Sequence, residues 1–416
     1  MNGLPGLFGS SMPETLELKR LLDFLCAATA EKPEAECFAL PEELAGFMRD
    51  LYTLLGQGKT DFAYWDAVAD RRERFREEIR FETSGSCEAV TFGEGRKILA
   101  AFSAKIDAAV EKALECGNGI MPTYFTFEAT DYEELKNADG TPRISPYGLP
   151  SVRVKGFRLV TLPYFLEGPA RMLAACGDEE RQKAAEMCAA IRETDLYDRK
   201  LKMYKTSGSI EGISMENGRV RAFTPGWLER ESIFLHMEYK YFLGMFKAGL
   251  YDEFYEAIGD ALIPYQKPEV YGRSILENSS FLASSANPDA SVHGQGFVAR
   301  LSGSTVEMLS MWLGMFLGDG GFTCQDGKLE FSLAPRLAAE LFDERGEAAF
   351  MLFGRCRVIY HNERGSNTYG ENGAKIWRME LDDGTERQEV SGNTLGSELA
   401  RKLRAGGIRQ IDAYLR

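Results

Sequence analysis

The chain has 416 residues, 44% hydrophobic and 11% aromatic, enough for a sizeable core and two or three domains, which excludes a disordered scaffold. Its formal charge is −14, from 49 Lys and Arg against 63 Asp and Glu, and so acidic a surface repels phosphodiester backbones and argues against nucleic acid as a partner. The eight cysteines are scattered with no CxxC and only three histidines are present, so buried reduced thiols are expected and a metal site is not.

In chain order, "MNGLPGLFGSSMPE" lacks a basic region and its apolar stretch is broken by Pro5 and glycines, so no signal peptide is predicted. No apolar run is long enough to span a membrane, and a cytoplasmic location with no membrane partner is expected. Pro13 marks a helix start, and Leu16, Leu18, Leu21, Leu22 and Leu25 follow at helical spacing. Pro41-Glu42-Glu43 opens a second helix that ends near Gly56, Asp61 to Arg80 a third, and Ile98 to Cys116 a fourth. Residues 117–162 are first aromatic and β-branched, then dense in turn residues, which predicts a long excursion carrying short strands. Helices resume from Pro163 to about Met203 with a break at Gly177-Asp178, and after an irregular stretch two more cover Glu229 to Lys247 and Tyr251 to Ile263. Residues 264–301 are rich in Gly, Ser and Asn, and an apolar helix follows over Val306 to Leu317.

After Gly320 the periodicity changes. "GKLEFSLAP", "GEAAFMLFGRCRVIYHN" and "AKIWRMELDDGTERQEV" alternate apolar and polar residues between turns, an antiparallel pattern closed by a helix at 396–404. The predicted architecture is mainly α with a C-terminal β domain: a partial (α/α)6 toroid over residues 1–318, then a small antiparallel β-sandwich-like domain over 319–416. About nine helices are counted where six hairpins need twelve, so N-terminal hairpins are expected to be missing, with apolar surface exposed where they would dock. The opening "NGLPGLFGSS" reads as a loop from inside such a barrel.

Four stretches carry candidate chemistry. "ARLSGSTVEMLSMW" packs Ser302, Gly303, Ser304 and Thr305 at the mouth of a helix, where free N–H groups and partial positive charge favour an anion and a glycine lets backbone approach it. The same residues also suit plain capping, Ser304 with Glu307 forming S-x-x-E. "TPGWLERESIFLHMEYKY" places His236 in an aromatic helix, with Trp227, Glu229 and Glu231 upstream; a packed core histidine is the plainer reading, but tryptophan is a common stacking surface for sugar rings. In "DFAYWDAVADRRERFREEIR", Asp66 and Asp70 lie beside Tyr64 and Trp65, and a carboxylic acid against an aromatic wall can be kept protonated by desolvation, as a general acid requires. A solvated mixed-charge helix face explains the arginine-rich half equally well. Finally, residues 268–297 offer Arg273, Glu277, Asn278, Ser284, Ser285, Asn287, His293 and Gln295 in a Gly-punctuated loop, either a surface for a hydroxyl-rich ligand or an ordinary polar loop.

In this order the pieces "YWDAVAD", "ERESIFLH" and "SGSTVEMLSMW" resemble the cellobiose phosphorylase family of inverting glycoside phosphorylases, whose relatives include 1,2-β-oligoglucan phosphorylases. The resemblance covers about 60–317 and, in general character, the β domain; "ERES" departs from the family's "ENGG", and "YWDAVAD" matches "GDWND" loosely. It implies an (α/α)6 barrel, Asp66 as general acid with Asp70 as the alternative, and His236 with Ser302-Gly303-Ser304 and Thr305 at a phosphate site. Substrate contacts would come from Tyr64, Trp65, Trp227, Glu229, Arg273, Glu277, His293 and Gln295. No cofactor is implied beyond inorganic phosphate as co-substrate, and the partners would be an oligosaccharide and phosphate, with an upstream polypeptide or a second copy completing the barrel. Such an enzyme needs only one protein carboxylic acid, because phosphate attacks the opposite face of the sugar; an inverting hydrolase needs a second carboxylate about 6.5–9.5 Å away, for which Glu229 and Glu277 are the candidates. A non-catalytic sugar-binding or assembly subunit is the third expectation.

Overall fold

A computed structural model describes residues 9–215, 218–299 and 303–416. Of the opening loop expected at residues 2–11, residues 2–8 lie outside the described residues, as does the phosphate-motif residue Ser302, while Gly9–Ser11 is a short strand rather than loop. The chain divides into two compact units. The first comprises Met1–Asp198, Tyr204–Ile233 and Ser284–Ala290, and the second Arg199–Met203, Phe234–Ala283 and Ser291–Arg416. The boundary expected at 318/319 falls inside the second unit.

In the first unit a short strand β1 (Gly9–Ser11) runs into helix α1 (Met12–Ala30), with Pro13 in its first turn. Two strand–helix segments follow. Strand β2 (Cys37–Pro41) leads into α2 (Glu42–Gly56), which is followed by α3 (Asp61–Glu78); strand β3 (Cys87–Thr91) then leads into α4 (Phe92–Cys116). The two strands pair antiparallel, and Thr91 caps α4 by accepting the Glu94 N–H at 3.1 Å. Arg49 of α2 ties this region together through Glu88 at 2.6 Å and Glu94 at 2.5 Å.

The excursion expected over 117–162 is a long antiparallel hairpin of β4 (Tyr124–Glu134) and β5 (Val152–Thr161), whose strands are eleven and ten residues rather than short. Its length follows from alternation of β-branched and aromatic residues broken only at the Asn137–Gly148 turns. Helices α5 (Glu167–Ala175) and α6 (Arg181–Arg192) come next. The helix expected to run to Met203 stops at Arg192, and the chain continues through the two-residue strands β6 (Tyr197–Asp198) and β7 (Met203–Tyr204). Leu162, Phe165, Ile210, Ile213 and Val220 bury one another, so the irregular 205–230 segment has its own apolar anchor.

A further two-residue strand, β8 (Ile233–Phe234), precedes α7 (Leu235–Lys247), the first helix of the second unit, which is followed by α8 (Tyr251–Ala261) and the one-turn α9 (Pro268–Tyr271). The helix expected from Glu229 begins six residues later, because Leu228 (φ 52°) and Glu231 (φ 55°) adopt left-handed backbone that no right-handed helix accommodates. Strands β9 (Ser279–Leu282) and β10 (Gly296–Ala299) pair antiparallel ahead of α10 (Gly303–Leu317).

Beyond α10 the chain is β-rich, as its alternation predicts. β11 (Gly321–Gln325) and β12 (Lys328–Ser332) form a hairpin; β13 (Glu347–Leu352), β14 (Cys356–His361), β15 (Ile376–Asp382) and β16 (Arg387–Ser391) follow, then β17 (Thr394–Leu395), α11 (Ser397–Arg404) and β18 (Gln410–Leu415). The five-stranded sheet has the order β13-β14-β18-β15-β16, all neighbours antiparallel except the parallel pair β14 and β18. The fold thus combines eleven α-helices with small, mainly antiparallel sheets among the described residues. Of the eight cysteines only Cys188 and Cys356 are buried and Cys37, Cys87 and Cys324 are exposed, which corrects the expectation of a mostly buried set. Among the described residues no helix is long and apolar enough to cross a membrane.

Candidate functional site

In the second unit, helices α7 and α10 pack on one another. His236 is the second residue of α7 and Gly303 the first of α10. A Cβ added at Gly303 would lie 2.0 Å from His236 Nε2 and 2.1 Å from Cε1, so the imidazole rests directly on the glycine. The glycine expected to admit a ligand admits the histidine ring instead. Ser304 is fully buried, whereas Thr305 is exposed. Glu307 brings Oε1 to 3.5 Å from His236 Nε2. Its hydrogen bond with His236, helped by Lys240 and Lys247, holds the Glu307 carboxyl below the usual carboxylate range although burial opposes this. The alternative capping reading fails for Ser304, which lies inside the helix, while Glu307 turns to His236. What forms is an imidazole, a glycine and a hydroxyl residue at the amino end of a 15-residue helix, where the first N–H groups lack helical partners.

The acids of α3 belong to the first unit. Asp66 and Asp70 are both exposed, so neither has the desolvation expected of an acid against an aromatic wall. Asp70 rims a surface hollow of about 370 Å³ shared with Asp50, Gln57, Arg71 and Arg74. Trp65 packs edge-on against Phe157 of β5 at 5.2 Å, and Tyr64 lies under Lys105 Nζ at 4.3 Å with its hydroxyl pushed up by burial. These two aromatic side chains thus fasten α3 to its neighbours.

Within the 268–297 loop, the second-unit candidates have local partners. Arg273 Nε donates to Glu277 at 3.1 Å, His293 Nδ1 meets Lys200 Nζ at 2.7 Å, and Gln295 Nε2 donates to the Ser291 carbonyl at 2.9 Å. In the first unit Glu229 lies 3.5 Å from Arg219, and Trp227, 36% exposed, heads a tight turn closed onto Arg230.

A second polar centre in the first unit was only glimpsed in the sequence, where Glu231 stood out as a neighbour of Trp227. Lys205, Arg230 and Glu231 are 8%, 8% and 7% exposed. Glu231 lies 3.7 Å from Lys205 Nζ and 3.7 Å from Arg230 Nε, while Arg230 also pairs with Glu211. Burial, the largest influence, pushes the Glu231 carboxyl up, against the pull of Lys205 and Arg230. Its left-handed backbone is pinned from two sides: its N–H donates to Ser207 Oγ at 3.2 Å and its carbonyl accepts from Ser284 Oγ at 2.5 Å. Nearby in sequence, buried Asp198 accepts the Ser285 N–H at 2.7 Å and its hydroxyl at 2.8 Å. No sequence spacing links Lys205 to Glu231; the turn residues Pro225 and Gly226 were the only local signal that the chain bends here.

Compared with protein-family models and with curated proteins, the sequence finds no match. Among the described residues no group of three or more His, Cys, Asp or Glu is arranged to hold a metal ion.

Proposed function

We propose that the protein is a glycoside phosphorylase, or the C-terminal part of one, on a partial (α/α)6 toroid. It carries out inverting phosphorolysis of a β-glucoside or oligosaccharide to α-glucose 1-phosphate. Inorganic phosphate is the nucleophile and co-substrate, no other cofactor takes part, and the working location is the cytoplasm. The observation that carries this reading is the seating of His236 on Gly303 at the start of α10. It brings two distant motif residues into one anion-compatible corner, as a phosphate site requires. Glu307, 3.5 Å from Nε2, holds one edge of the ring and leaves Nδ1 as its second polar atom.

Asp66, or Asp70 in its stead, supplies the proton to the leaving oxygen. A hydrolase would need a free base, and Glu229 and Glu277 are each engaged by an arginine, Arg219 at 3.5 Å and Arg273 at 3.1 Å, which favours phosphate as nucleophile. Exposed Leu18, Leu21 and Phe24 on α1, and Val306, Leu309 and Leu313 on α10, support association with an upstream polypeptide or a second copy.

The test is sugar release from a panel of β-linked glucobioses by the chain, alone and with its upstream polypeptide. The expected result is phosphate-dependent formation of α-glucose 1-phosphate, lost for poor leaving groups in Asp66→Asn and with a raised KM for phosphate in His236→Ala. Phosphate-independent release with inverted configuration would make the protein a hydrolase, and no release a sugar-binding subunit.

A further inference from the structure

Lys205 and Glu231 are each more than nine-tenths buried, yet their charged atoms stand 3.7 Å apart, beyond hydrogen-bond distance. Arg230 Nε is buried without a hydrogen-bond partner 3.7 Å from Glu231, although the other nitrogens of its guanidinium donate to the Arg221 and Phe223 carbonyls and to Glu211. Buried charges left without hydrogen bonds are costly, and native proteins satisfy them. Holding Glu231 in a left-handed conformation adds backbone strain, a cost that persists only where surrounding structure over-determines the residue. The serines on either side of its peptide do so. A donor and an acceptor are thus fixed side by side, and each side chain keeps about a tenth of its surface open, 10% for Lys205 and 9% for Glu231.

The charges select the ligand. Lys205, Arg230 and Arg221 balance Glu231, Glu211 and Asp195, so the centre offers no net attraction to an ion. Glu231 repels an anion such as phosphate, and the two cationic side chains repel a metal. A neutral molecule with adjacent hydroxyls satisfies both partners: one hydroxyl accepts from the Lys205 ammonium while its neighbour donates to the Glu231 carboxylate. Trp227 stands in the turn that leads to Glu231, with an indole exposed enough to cover a sugar face. We propose that Lys205 and Glu231 form a binding site for the vicinal hydroxyls of a pyranose ring. This rests on the carbohydrate part of the reading above and is independent of phosphorolysis.

Calorimetric titration of the full chain with methyl β-D-glucopyranoside, its monodeoxy derivatives and inorganic phosphate tests it. Glu231→Gln and Lys205→Met should each weaken glucoside binding about tenfold or more, as loss of a hydrogen bond to a charged group does. Two deoxy derivatives lacking neighbouring hydroxyls should lose a similar factor on the unaltered protein and nothing further on the variants. The double variant Lys205→Met/Glu231→Gly relieves both the ion pair and the left-handed strain, so it should melt at a higher temperature while losing glucoside binding. A purely structural pair would show the reverse, a lower melting temperature with binding intact, and would overturn the proposal. Absence of glucoside binding to the unaltered chain overturns it as well. If phosphate binds in a His236-dependent way while glucoside ignores Glu231, this site falls and the phosphorylase reading stands. If glucoside binding needs Lys205 and Glu231 while phosphate does not bind, the site stands and phosphorolysis falls.

Discussion

Helices α3 and α7 both carry candidate catalytic side chains, yet they are held in opposite ways. No residue of α3 is buried, and it is bound by ion pairs such as Arg71–Asp50 and by stacked rings such as Phe47–Phe75 at 4.4 Å. In α7 nine of thirteen residues are buried, Tyr239, Tyr241 and Phe242 completely. A helix with no buried residue depends on partly exposed ring contacts and on screened surface pairs, the latter each worth about 1 kcal/mol or less. One with a buried face is positioned by packing that tolerates no void. The two regions therefore differ in how firmly each fixes its chemistry: His236 is located by the core, whereas Asp66 rides on a surface that salt can loosen.

The sharpest way to break this contrast is Phe242→Ala, which should destabilise the second unit by about 3–5 kcal/mol in denaturant unfolding. A loss below about 1 kcal/mol would mean that α7 is not core-held. Next in size, Gly303→Ala puts a methyl group where the His236 ring lies, and should lower stability by about 1–3 kcal/mol while displacing the imidazole, seen as a shifted His236 resonance and lost phosphate binding. A smaller effect is expected of Glu307→Gln, and its signature is pH dependence. Because the folded state holds the Glu307 carboxyl below its ordinary value of 4.5, its contribution is complete above that pH and lost as pH falls through the depressed value. Melting curves of the two proteins should therefore differ near neutral pH and converge in acid; parallel curves would remove the pairing with His236. Least of all, Arg76→Ala on α3 breaks an exposed 3.2 Å pair with Glu73 and should change stability by no more than about 0.5 kcal/mol.

Elements with strong local periodicity were legible in the sequence: α1 to α3 within a few residues, α4 apart from its first six residues, and the β-rich region after Gly320. Pairings between distant segments were not. "CFALP" and "CEAVT" are five-residue stretches far apart in the chain, and nothing local says that they meet as β2 and β3. The start of α7 was misplaced because Glu229, Arg230 and Glu231 are good helix formers by propensity, and only tertiary contacts with Ser207 and Ser284 impose the left-handed backbone. Where His236 meets Gly303 the residue types were readable, as was their order. That Gly303 serves the His236 ring was not, since the relation spans 67 positions and depends on how α7 and α10 pack.

The order β13-β14-β18-β15-β16 also bears on how the protein is made. Strand β18, residues 410–415, lies between β14 and β15, which are both complete by residue 382. During vectorial synthesis those two strands emerge first and wait with open edges while the intervening β16, β17 and α11 are translated. A ribosome stalled in that interval leaves an open edge on each of the two strands, a template for edge-to-edge association with neighbouring nascent chains. Chaperone demand should therefore peak while residues 383–409 are translated, and end when Gln410 to Leu415 slide into the gap.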